Sequence, residues 1–129
     1  MNSTNDNPLG FLTAQDLTRI NEQITGDVMI RDVHLLNSAL RRPFLILFGE
    51  EQFPTVIDKA AAYLESLAYH HLFVDGNKRT AIEAVRLFLE RNDLTFAYDP
   101  AKDALFVLEV AQGAHDTAQI AAWIEARTR

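Results

Sequence analysis

The chain of 129 residues contains no cysteine, which excludes a disulfide framework, a zinc-thiolate centre and a thiol nucleophile. It also lacks a long apolar run. The longest purely apolar stretch, Pro43 to Phe48, falls far short of the ~20 residues a helix needs to cross a bilayer. Met1 to Pro8 are polar and carry neither the basic region nor the apolar core of a secretion signal, so the expectation is a cytoplasmic protein without membrane contact. Positive charge is scarce: 12 Lys and Arg stand against 18 Asp and Glu, for a net charge of −6. A surface that coats a duplex needs the opposite balance, so no direct nucleic-acid partner is expected. A small anion site stays open, because Lys78, Arg79, Arg86 and Arg91 fall in one segment.

What is present suits a compact globular fold. Hydrophobic residues make up 48% and charged residues 23%, a balance unlike that of a disordered chain. A chain of this length forms one domain that buries roughly two-thirds of its unfolded surface. Residues 1–10 read as a flexible N-terminal arm and residues 11–129 as the single domain. No repeats or low-complexity linkers divide it.

Helical spacing dominates. Thr13 and Asp16 stand in capping-box spacing, with Leu12 and Leu17 at the staple positions on either side, so a first helix starts there and fades at Thr25-Gly26. The following Gly26 to Arg31 reads as a short turn or hairpin. Asp32 caps a second helix that ends before Pro43. Thr55 caps a third, where Ile57, Ala60, Ala61, Leu64, Leu67 and Ala68 recur at i, i+3, i+4 spacing. A fourth spans about Arg79 to Arg91 and stops at Asn92, which tolerates a left-handed C′ conformation. Asp99-Pro100 opens a fifth, closing at Gly113, and Asp116 caps a sixth with Ile120, Trp123 and Ile124 inward. Only 26–31 and Leu94 to Tyr98 leave room for β structure.

Between the third and fourth helices lies His71-Leu72-Phe73-Val74-Asp75-Gly76-Asn77-Lys78-Arg79-Thr80. Phe73, its one large aromatic residue, is placed to anchor the loop from below. Gly76 permits and Asn77 tolerates positive φ, so a tight turn there aims successive N–H groups at one point. Lys78 adds a mobile charge and Arg79 a rigid fork, both suited to phosphate oxygens. Asp75 is a hard oxygen ligand of the kind Mg²⁺ shares with a nucleotide. His71 carries an imidazole, which can take a proton from an attacking hydroxyl. The residues alone leave two readings open: a nucleotide-dependent transferase, or a plain Asp-Gly-Asn turn with solvated cations. Elsewhere, Arg86 and Arg91 read as solvated helix faces, His34 and His115 as surface or satisfied core histidines, and Trp123 as core.

The run His71-x-Phe73-x-Asp75-Gly76-Asn77-Lys78-Arg79-Thr80-Ala81 resembles the signature loop of the Fic/Doc (Fido) superfamily, in its Doc or death-on-curing branch. Leu36-Asn37-Ser38-Ala39-Leu40-Arg41-Arg42-Pro43 and Phe88-Leu89-Glu90-Arg91-Asn92 extend the likeness over roughly residues 11–127. The resemblance implies an all-α fold: a compact Fido helical domain of about six helices with a short β-hairpin flap. It implies His71 as catalytic base, Asp75 as the Mg²⁺-linked carboxylate, and Gly76, Asn77, Lys78 and Arg79 as the cradle for ATP phosphates. By chain order, Gly26, Asp27, Val28, Met29, Ile30 and Arg31 fall where the family has its target-docking flap.

The commonest Fic loop has Gly where this chain has Lys78, and it transfers AMP. A side chain there obstructs the α-phosphate position. In the Doc branch the same Lys accompanies γ-phosphoryl transfer to a translation elongation factor. The expectation is therefore a toxin of a type II toxin–antitoxin system, a protein Ser/Thr kinase that blocks translation. The alternatives are an adenylyltransferase and a non-catalytic binding module. The inhibitory Ser/Thr-x-x-x-Glu-Gly/Asn motif of many relatives has only an imperfect match in Thr18 to Glu22 followed by Gln23. Restraint is thus expected from an antitoxin protein lying in a groove beside the site.

Overall fold

The computed structural model describes residues 10–129; apart from Gly10, the expected N-terminal arm lies outside the described residues. Six α-helices follow one another: α1 (Ala14–Thr25), α2 (Val33–Arg41), α3 (Val56–Tyr69), α4 (Asn77–Arg91), α5 (Pro100–Ala111) and α6 (Thr117–Glu125). A 3₁₀ turn, Arg42–Phe44, and a hairpin of β1 (Ile46–Leu47) and β2 (Glu50–Glu51) separate α2 from α3. The architecture is all-α with one two-stranded antiparallel sheet.

The helix starts are written in local chemistry. Thr13, Thr55 and Asp116 close reciprocal capping boxes with Asp16, Asp58 and Gln119. Asp32 and Asp99 accept from the N–H groups of Leu35 and Ala101, satisfying amides that a helix otherwise leaves unpaired. Among the six, α4 alone starts without a side-chain cap among the described residues.

Helix α3 runs through the centre. Ala60, Ala61, Ala62, Tyr63 and Leu64 are all fully buried in sequence, a pattern that only a helix covered on every side adopts. It packs against α2, the 3₁₀ turn, α4, α5 and α6, and its alanines let those neighbours approach closely. Burying one side chain of the size of Leu64 or Leu67 contributes about 1.5–3 kcal/mol. Tyr63 meets Phe88 of α4 edge-on at 5.0 Å, and its hydroxyl accepts from the Leu12 N–H at 3.2 Å. Burial pushes that phenol up to about 12.

Four details differ from the sequence reading. The hairpin lies at Ile46–Glu51, across the Pro43–Phe48 apolar run, and not within residues 26–31. Its Phe48-Gly49 turn takes positive φ at both residues, a geometry that joins strands but is unexpected of Phe. Helix α4 begins at Asn77, two residues before the expected start. The left-handed residue after it is Asp93, with φ 64°, while Asn92 keeps a negative φ and its side chain donates to the Phe88 carbonyl.

Arg91 is no solvated face. Its guanidinium grips both oxygens of Asp16 at 2.8 and 2.9 Å and the Phe11 carbonyl at 3.2 Å. This bidentate pair ties the start of α1 to the end of α4, and the Arg91 hydrogen bonds hold the Asp16 carboxyl down to about 2. Leu94 to Tyr98, which left room for β structure, do pair: Thr95 exchanges two backbone bonds with Arg129, and the Ala97 N–H donates to Arg127.

Candidate active site

The loop between α3 and α4 is held open by what lies beneath it. Phe73 is 1% exposed and belongs to the same core as Leu72, Leu67 and Ala81. Asn77 fastens the loop onto that anchor. Its Oδ1 accepts from the Phe73 N–H at 3.0 Å, and its Nδ2 donates to the Phe73 carbonyl at 2.8 Å. With the side chain so engaged, the group Asn77 can offer an anion is its main-chain N–H.

Gly76 makes the turn. It sits at φ 75°, ψ 20°, a left-handed conformation that costs other residues roughly 1–2 kcal/mol. Space is restricted as well, since a Cβ there would lie 2.8 Å from Thr25 Cγ2 and 3.3 Å from Asn21 Nδ2. The N–H of Gly76 donates to Asp75 Oδ1 at 2.8 Å, which leaves the other carboxylate oxygen open. Beyond the turn, the N–H groups of Asn77, Lys78 and Arg79 have no acceptor among the described residues, because the first turn of a helix supplies none. Lys78 and Arg79 are exposed and form no ion pair among the described residues. The uncapped start of α4 thus carries two exposed cations that line one cleft.

His71, at the opposite end of the loop, is exposed and makes no hydrogen bond among the described residues. His70, beside it, ends α3: its N–H donates to Ser66, and its ring lies edge-on to Tyr69 at 5.2 Å. The expected flap segment runs directly alongside. Val74 N–H donates to the Met29 carbonyl at 2.9 Å, Arg31 N–H donates to the Leu72 carbonyl at 2.7 Å, and Ile30 pairs with Phe73 across a single antiparallel bridge. Gly26, Asp27 and Arg31 are exposed and Val28 is half-buried. Met29 (54%), Ile30 (42%) and Val74 (57%) leave an apolar margin beside His71.

A cleft of about 550 Å³ opens on the α4 side of the loop, lined by Lys78, Arg79 and Arg86, by Gln23 of α1, and by Tyr98 and Val107. Arg86 donates to the Phe96 carbonyl at 3.0 Å and pairs with Glu83, so it borders this cleft as a fixed charge. A second cleft of about 480 Å³, behind His70, is bordered by Arg42 and Ser66. Its guanidinium is already engaged by Ser66, Glu65 and the Phe53 ring, which marks it as a structural tie. Away from both, His115 does have an acidic partner, Glu109 at 2.8 Å, and stacks on Phe106. Trp123 packs against the core as expected.

One residue of the site escapes a sequence reading. Asn21, on α1, is 1% exposed and donates from Nδ2 to the Asp75 carbonyl at 2.9 Å and to Thr80 Oγ1 at 3.1 Å. Its place at helical spacing between Leu17 and Ile24 is its only sequence signal.

The model of the Fic/DOC family matches residues 11–89, which contain α1 to most of α4 and the whole loop. Over 74 residues the chain is 46% identical to the protein named Toxin Doc of Mycolicibacterium smegmatis. That alignment covers 57% of this chain and 57% of the toxin, just over half the length of each. With a family model spanning more than half of the chain and the loop folded as an anchored turn at the start of α4, the chain belongs to the Fic/DOC family.

Proposed function

We propose that this protein is a toxin that transfers the γ-phosphoryl group of ATP to a Ser or Thr hydroxyl of a translation factor of the elongation factor Tu type. The observation that carries this reading is the start of α4, where three amides have no acceptor among the described residues and the exposed side chains of Asp75, Lys78 and Arg79 flank them in sequence. Phosphoryl transfer asks a protein mainly for positioning and charge neutralisation, and this constellation offers both. In the step, the target hydroxyl gives its proton to His71 while its oxygen bonds to the γ-phosphorus. The bond from that phosphorus to the β,γ-bridging oxygen breaks, and ADP leaves.

The residues suit Mg²⁺ as a partner of the nucleotide. Asp75 keeps one oxygen open. An ion held by one carboxylate and completed by phosphates and water is the usual arrangement for Mg²⁺. When bound it would offset phosphate charge. Lys78 supports γ- over α-phosphoryl chemistry because its side chain occupies the turn where the commonest loop of the family has none. The 26–31 segment, bonded edge to edge with the loop, would dock the target chain. The cleft lined by Lys78 and Arg79, by the Arg86–Glu83 pair and by Ile82 and Val107 suits an amphipathic segment of an antitoxin that brings acidic side chains to Lys78 and Arg79.

Incubation with γ-labelled ATP, Mg²⁺ and a cell lysate tests the reading. One protein band should take up label, and His71→Ala should abolish it. Label from α-labelled ATP would establish AMP transfer instead. No transfer from either, with partner binding retained in His71→Ala and Asp75→Ala, would leave only a binding module.

A further inference from the structure

We propose that Asn21 is a positioning residue for the phosphate-binding turn, an inference that rests on the reading of Asp75 to Arg79 as the nucleotide cradle. Its amide nitrogen carries two hydrogens and uses both. One goes to the Asp75 carbonyl at 2.9 Å, just before the turn, and the other to Thr80 Oγ1 at 3.1 Å, just after the exposed cations. The four residues from Gly76 to Arg79 are thereby bracketed by a single buried side chain from another helix. Thr80 is itself buried, so the bracket rests on a rigid base.

Thr25, one turn on in α1, bonds to the Asn21 main chain and touches its side-chain oxygen. Thr25 Oγ1 lies 2.9 Å from the Asn21 carbonyl and 3.4 Å from Oδ1. Thr25, Asn21 and Ile24 also form the surface against which Gly76 lies with no room for a methyl group. The end of α1 thus moulds the turn sterically and pins it by hydrogen bonds. Asp75 has one backbone carbonyl to orient its peptide plane, and that carbonyl belongs to Asn21. Release would let the carboxylate and the adjoining amides swing by the fraction of an ångström to which phosphate recognition is sensitive.

Asn21→Asp tests this with little change of volume, because it exchanges the donor for an acceptor facing a carbonyl. Asn21→Ser, which loses both bonds without adding charge, serves if the first variant does not fold. Thr80→Val is the comparison: it removes one bond of the same buried network and keeps the bond to Asp75. Binding of Mg·ATP to the full chain would be measured by calorimetry over a Mg²⁺ series, alongside melting temperature. The Asn21 variants should lose about tenfold or more in nucleotide affinity and need more Mg²⁺, while Thr80→Val stays within about twofold at a similar loss of melting temperature. Equal losses for both, or wild-type affinity in Asn21→Asp, would overturn the proposal. The apo amide resonances of Gly76, Asn77 and Lys78 separate the two layers of argument. If the wild-type chain bound no Mg·ATP, the nucleotide reading would fall, yet unmoved resonances in Asn21→Asp would still refute the positioning role and shifted ones would support it.

Discussion

The pair between Asp16 and Arg91 should make the fold measurably acid-sensitive, and its size follows from the structure. The Asp16 side chain is 6% exposed and meets both guanidinium nitrogens, which lowers its carboxyl from 3.8 to about 2. A folded-state value below the unfolded one means stability that is complete above pH ~4 and lost as the pH falls through ~2. The displacement is worth about 2 kcal/mol at pH 7, of which roughly half survives at pH 3. Asp16→Asn keeps the shape and removes the charge. It should destabilise the protein by about 2 kcal/mol at neutral pH, or some 6–10 °C in melting temperature for a domain of this size. Urea titrations followed by circular dichroism at pH 7, 3 and 2 would show the gap between wild type and variant narrowing as acid is added. A gap that stayed constant across that range would refute the electrostatic account and leave the capping box of Thr13 as the reason for Asp16.

Three further expectations bear on the loop. Phe73→Ala should cost about 3–5 kcal/mol by leaving a cavity under the loop, seen as a lower urea midpoint; a loss below about 1 kcal/mol would deny Phe73 its anchoring role. Gly76→Ala should weaken Mg·ATP binding more than it lowers the melting temperature, because the left-handed strain of roughly 1–2 kcal/mol falls on the turn itself. Calorimetry that found unchanged affinity would show that the turn does not hold the nucleotide. Lys78→Glu should abolish nucleotide binding while changing stability by no more than about 0.5 kcal/mol, since exposed charges seldom do more. A marked fall in melting temperature would make Lys78 structural.

Helix boundaries were legible wherever the signal was local. Thr13, Asp32, Thr55, Asp99 and Asp116 each cap the helix that their spacing announced, because a capping bond spans only three or so residues. Phe73 and Gly76 could be read as anchor and turn for the same reason. What stayed hidden depends on partners distant in sequence. Arg91 looks like any helix cation until α1 brings Asp16 to it, 75 residues away. Asn21 shares its helix face with Leu17 and Ile24, yet nothing near it in sequence names Asp75 and Thr80 as its partners. The hairpin was missed because Phe48 in a left-handed turn contradicts the usual Asn-Gly signature, and only the fold of the flanking strands reveals it.

The bare start of α4 has a consequence of its own. Every other α-helix in the described chain finishes its first turn with a side chain from its own sequence, but α4 leaves three amides without an acceptor among the described residues. A phosphate seated there would complete the helix in the way Thr13 or Asp116 completes theirs, so ligand and secondary structure become parts of one cooperative unit. The first turn of α4 should then exchange its amide hydrogens quickly in the free protein and slowly once nucleotide is bound. The rest of the same helix, buried against α3, would register little change.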